Sequence, residues 1–124
     1  MTDRNDKTRA RAFLNLLDDI PEPGEKEHFA EICQLGNGAA RIERIVSHGQ
    51  ASPEDFWYDQ KEDEWILILS GAARLRLEDH GEAVELRPGD SLHLPAHCRH
   101  RIEWTAPDRP TIWLAVFFDE SPAA

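Results

Sequence analysis

The chain lacks what would mark it for export, for a membrane or for nucleic acid. Its first residues, MTDRNDKTRARA, hold none of the apolar run a signal peptide needs, and no later stretch approaches the ~20 apolar residues of a membrane span. A cytoplasmic protein with no membrane partner is expected. Cysteine is scarce: Cys33 and Cys98 stand far apart and outside any CxxC pair, so free thiols are expected. Basic residues are outnumbered, 14 Lys and Arg against 24 Asp and Glu, and the net charge of −10 repels a polyphosphate backbone. Nucleic acid is therefore not an expected partner. There is no GxSxG elbow, no phosphate-binding glycine loop and no HExxH, which leaves serine hydrolysis and phosphoryl transfer without support. Repeats, low-complexity tracts and internal linkers are missing too, and 124 residues suffice for one core only.

What is present divides at about residue 27. Phe13, Leu14, Leu16, Leu17 and Ile20 fall on one stripe, with Thr8 as a cap and Pro21 and Pro23 as stops, which predicts a short helix within an N-terminal extension over residues 1–27. From residue 28 to 124 the period changes to short alternating runs. They are punctuated by GNGA, HGQASPED, EDHGE, RPGD, PAH and APDRP, the spacing of an all-β sandwich or barrel. ARLRLE at 73–78 has one wet face, whereas WILIL at 65–69 and TIWLAVFF at 111–118 are apolar on both. The doubly apolar runs need cover, so the helix and a second copy of the chain, in a homodimer, are expected to supply it.

Strand parity selects candidate site residues. If Ile66 and Ile68 face a barrel interior, Glu64 faces it too, and Gln60 and Tyr58 share that parity if the run is unbroken. In HRIEW, His100 shares a face with Ile102 and Trp104. A carboxylate and an imidazole meeting in an apolar cavity, with an amide and a phenol nearby, are either first-row metal ligands or a hydrogen-bonded buried pair.

Residues 58–100 resemble the two motifs of the cupin superfamily, small double-sheet jelly rolls. Glu64, the run WILILS and Gly71 match the second half of the first motif; Gly89, DSLHL, Pro95 and His100 match the second, with His97 where a glycine is usual. The strings RIERIVSHGQ, FWYDQ, EDEW and PAHCRHRIEW also resemble a group of small single-domain bacterial cupins. The resemblance implies a double-stranded β-helix, the cupin jelly-roll barrel, over roughly residues 40–118. It also implies a mononuclear metal. The two histidines usual in the first motif are replaced by Tyr58 and Gln60, or by Trp57 and Asp59 on the longer spacing. Carried over position by position, the ligands would be Gln60, Glu64 and His100, with Tyr58 as a fourth ligand or a proton-transfer group and His97 as an additional candidate. Such an oxygen-rich set favours manganese, iron or zinc over copper.

Three further residues bear on a substrate pocket. Ile42, Arg44, Val46 and His48 share one face, so Arg44 either clamps a substrate carboxylate in the cavity or makes a surface ion pair with Glu43 or another acid. Trp104 would wall the pocket beside His100, and His97, in the turn before it, is a further pocket candidate. Cys98 reads as structural or incidental, His93 as an outer-face residue if Leu92 and Leu94 line the core, and His28 and His80 as solvated. The expected function is a metal-dependent enzyme acting on a small organic molecule, carboxylated if Arg44 faces inward, with oxygenase and isomerase chemistry both open. The rival is a non-catalytic barrel that binds or senses a small molecule, with or without metal.

Overall fold

A computed structural model describes residues 14–119. Eight strands follow one another: β1 His28–Leu35, β2 Ala40–Ser47, β3 Asp63–Ser70, β4 Ala73–Leu77, β5 Ala83–Leu86, β6 Ser91–Leu94, β7 His100–Thr105 and β8 Thr111–Phe118. They form a five-stranded sheet in the order β1-β2-β8-β3-β6 and a three-stranded sheet in the order β5-β4-β7, with every pairing antiparallel. The two apolar runs, β3 and β8, lie side by side within the larger sheet, which is why both of their faces are apolar.

Between the sheets, Ile45, Ile66, Ile68, Leu75, Leu94, Trp113 and Phe117 form the core. Burying each such aliphatic side chain contributes about 1.5–3 kcal/mol. The turn from β3 into β4 is closed by Gly71, whose φ of +86° favours glycine. A Cβ there would lie 2.5 Å from Thr111 Cα and 2.7 Å from the Pro110 carbonyl oxygen, both backbone atoms that cannot swing aside.

Among the described residues, the expected N-terminal helix is not found. Thr8 and Phe13 lie outside the described residues; from Leu14 to Ile20 the chain runs as turns and bends, with Leu14 and Leu17 exposed. The physical reason is a competing set of donors. Arg44 donates to the carbonyls of Leu16 at 3.3 Å, Asp18 at 2.8 Å and Asp19 at 3.3 Å, and Gln50 donates to that of Gly24 at 2.8 Å. Carbonyls that a helix would bond to its own N–H groups are bonded to side chains of the barrel instead.

Candidate functional site

One cavity opens between the sheets, lined among others by Glu27, Phe29, Ile45, Tyr58, Gln60, Glu64, His100, Ile102 and Trp113. Its empty space is about 480 Å³ when the open mouth and the solvent in it are included. Glu64 and His100 are its buried polar residues, 7% and 6% exposed.

Each is placed by its strand. Glu64 pairs with Phe117 on one side and Leu94 on the other, and the alternation of β3 turns it inward with Ile66 and Ile68. His100 opens β7 opposite Leu77. The segment before β3 is drawn onto β7 by a bridge in which Tyr58 N–H donates to the His100 carbonyl at 2.7 Å and His100 N–H to the Tyr58 carbonyl at 3.1 Å. Their rings stack with centroids 5.3 Å apart. Asp63 Oδ1 accepts the Ala96 N–H at 2.8 Å, and the Gln60 carbonyl accepts that of His97 at 2.6 Å, so the PAH turn is fastened to the start of β3.

The electrostatics follow from burial. His100 Nδ1 lies 2.9 Å from the Cys98 carbonyl, an acceptor, so Nδ1 carries the hydrogen and Nε2 presents its lone pair to the cavity. Nε2 is 3.7 Å from Glu64 Oε1, a buried oxygen without a hydrogen-bond partner. Burial pushes the Glu64 carboxyl up to about 7, with Glu43 adding to the rise, Arg41 opposing it and Glu62 adding a little. Burial also lowers the His100 pKa against the pull of the Cys98 carbonyl. The imidazole is therefore neutral when Glu64 ionises, and the two do not form a salt bridge. The Tyr58 phenol is raised by burial first, then by Glu27 and Glu64, and stays protonated through the neutral range. Arg41 supplies a cation nearby but is committed: it bonds Glu43 at 2.8 Å, bonds Glu62, and lies 4.3 Å over the Phe117 ring.

A family model of the cupin domain matches residues 43–117. The chain is a cupin. A Ralstonia eutropha JMP134 protein, provisionally named mannose-6-phosphate isomerase, is 46% identical over 88% of this chain and 99% of its own, with a TM-score of 0.82. A cupin superfamily protein of Desulfitobacterium hafniense DCB-2 is 21% identical over 80% of this chain and 83% of its own, TM-score 0.63. A polyketide cyclase of Streptomyces resistomycificus is 20% identical over 92% and 83%, TM-score 0.67. These last two share the fold. No curated protein matches at a significant level.

Of the residues singled out from this cupin's sequence, Tyr58, Gln60, Glu64 and His100 line the cavity together. Three others do not. Arg44 faces the N-terminal segment, because Ile45, not its neighbours, is turned toward the cavity; its guanidinium bonds the carbonyls there and, among the described residues, makes no ion pair with Glu43. Trp104 is turned out by a bulge: Ile102 opposes Leu75 but Trp104 opposes Arg74, leaving Glu103 as the extra residue that breaks the alternation. Its ring lies 5.4 Å from the Arg74 guanidinium. His97 occupies the turn with φ +63°, the glycine-like conformation the motif expects there, and its exposed ring meets Asp59 Oδ1 at 2.7 Å, outside the cavity. Cys33 and Cys98 are both free.

Sequence reasoning missed Glu27 and Ser47. Glu27 precedes the first strand, where no alternation assigns it a face. Ser47 was within reach, since it shares parity with Ile45, but both faces of β2 carry apolar residues.

Proposed function

We propose that this cupin holds a divalent first-row metal, manganese, iron or zinc, at Glu64 and His100 and uses it to transform a small organic molecule bound in the cavity. The observation that carries this is the orphaned Glu64 Oε1 facing the lone pair of His100 Nε2 at 3.7 Å. Two acceptors facing each other out of water call for a positive centre between them. A shared proton would draw them to about 2.7–3.2 Å, whereas a metal lies about 2.0–2.2 Å from each such donor, which accommodates the separation. Gln60 and Tyr58, lining the same cavity, are the candidates to complete the set.

When bound, the ion would supply Lewis-acid polarisation of a substrate oxygen. The chain's own residues have separate tasks. The Cys98 carbonyl holds the tautomer that leaves His100 Nε2 free. Tyr58, still protonated at neutral pH, can give its proton to an oxygen on the substrate. The apolar wall of Ile45, Ile66, Ile102 and Trp113 limits water. Isomerase and oxygenase chemistry both fit a polarised oxygen beside a proton donor. The phosphorylated sugar in the Ralstonia protein's provisional name suits this lining poorly: among the described residues, no Lys or Arg lines the cavity.

A second reading, a barrel that binds its ligand without chemistry, is favoured by one observation: among the described residues, no group of three or more His, Cys, Asp or Glu converges. Metal loading of variants separates the two. Glu64→Ala should lose at least ninety per cent of the metal bound by the native protein, and Glu82→Ala, in an exposed turn, should lose none. Equal metal in both variants would remove the assignment. The reading includes a cytoplasmic homodimer, with the second copy on the face of the larger sheet that carries Trp65, Leu67, Leu114 and Val116. Light scattering at the monomer mass would reject that pairing.

A further inference from the structure

The cavity has a second pole, at Glu27. Its carboxylate Oε2 accepts the hydroxyl hydrogen of Ser47, and Ser47 Oγ in turn accepts the indole N–H of Trp113 at 3.0 Å. Ser47 and Trp113 are 0% and 3% exposed, so this relay is set from within the core. A serine hydroxyl has one hydrogen to give; with the indole occupying a lone pair, that hydrogen is aimed at Glu27. One carboxylate oxygen is thereby held in place, and among the described residues no donor is bonded to the other, which is left for a donor on a bound molecule.

The two carboxylates enter from opposite ends of β8, since Ser47 pairs with Thr111 and Glu64 with Phe117. Between them the walls are mostly aliphatic and aromatic. The cations nearby are spent elsewhere, Arg41 on Glu43 and Glu62, and Arg44 on the N-terminal carbonyls. An anionic group at the Glu27 end would be stripped of water beside a carboxylate with no counter-charge, a strongly unfavourable arrangement. A hydroxyl or ammonium group there would gain a charge-assisted hydrogen bond.

We propose that Glu27, positioned by Ser47 and Trp113, is the specificity-determining residue of the cavity and selects a neutral or cationic small molecule. Its ligand has an apolar body and a hydroxyl or amine at the end remote from Glu64 and His100; carboxylated and phosphorylated molecules are rejected. The inference rests on the metal reading only for which end of the ligand reacts, because the Glu27 pole works with or without an ion.

Four probes of similar size test it: benzylamine, benzyl alcohol, benzoate and phenyl phosphate, titrated calorimetrically into the full chain and into His100→Ala, with metal measured on the same samples. The variant is included because an anion could bind the ion itself. Benzylamine and benzyl alcohol should bind at least tenfold more tightly than either anion in His100→Ala, and Glu27→Gln should cut the advantage of benzylamine over benzoate at least tenfold without lowering Tm. Ser47→Ala should cut it severalfold, because the carboxylate loses its orienting donor. The inference is overturned if an anion binds His100→Ala as tightly as benzylamine, if Glu27→Gln leaves the selectivity unchanged, or if none of the probes binds. Selectivity that persists in a native protein devoid of metal would defeat the metal reading alone.

Discussion

Metal-free Glu64→Gln should be more stable than the metal-free native protein at pH 8, by about 2–3 kcal/mol. A carboxyl held at about 7 instead of its ordinary 4.5 gives an upper bound of about 3.5 kcal/mol at roughly 1.4 kcal/mol per unit, and the expected difference is set below that bound. The sign is fixed by proton binding. A carboxyl whose pKa is raised on folding binds more protons folded than unfolded between about 4.5 and 7, so its contribution is complete below pH 4.5 and lost as the pH rises through 7. The advantage of the glutamine variant should therefore shrink as the pH falls from 8 toward 4.5. His100, with its pKa lowered, costs stability as the pH falls below 6.5, and because it lies 3.7 Å from Glu64 its share is separated by repeating the comparison in a His100→Ala background. Adding zinc should reverse the ranking, raising the native Tm while leaving that of the variant nearly unchanged. Urea titrations at pH 5, 6, 7 and 8 measure the difference; one independent of pH would mean that Glu64 is not held protonated by burial.

Gly71→Ala should destabilise the barrel by ~3 kcal/mol or more, enough to leave much of the chain unfolded if its native margin is ordinary. Two costs combine: a non-glycine residue at φ +86°, and a methyl group 2.5 Å from Thr111 Cα. Thr111 has little freedom to yield. Its hydroxyl donates to the Ala72 carbonyl at 3.0 Å, and it accepts the Ala72 N–H at 3.2 Å. Gly81→Ala is the matched control, because its φ is also positive, at +71°, but nothing lies within 4 Å of the added carbon. The difference between the two urea midpoints isolates the close approach from the backbone strain. Equal losses would show that the β3–β4 turn can open away from β8.

How much of this was legible in the sequence depends on what lies between a residue and its reference point. Glu64 could be placed because an unbroken buried strand joins it to Ile66 and Ile68, and His100 because it opens a strand whose next inward residue is Ile102. Trp104 could not, since the bulge at Glu103 leaves no trace in the alternation of polar and apolar letters. Arg44 misled for a different reason. The N-terminal segment covers the outer face of β2, so Val46 on that face is as buried as Ile45 on the other, and hydrophobicity no longer tells inside from outside. Over residues 14–20 the helical stripe failed because the guanidinium of Arg44, far away in sequence, takes the carbonyls a helix needs. The cupin motifs supplied the fold, with the Gly71 turn and the glycine-like backbone of His97 in the expected places. Glu27 had no motif and no strand to fix it.

The most direct test of the metal claim is elemental analysis of untagged protein purified without chelator and then incubated with manganese, iron or zinc, with His100→Ala treated alongside. The account predicts close to one equivalent of metal in the native protein and less than a tenth of that in the variant. Native protein that takes up none of the three ions, or a variant that retains the full equivalent, would contradict it.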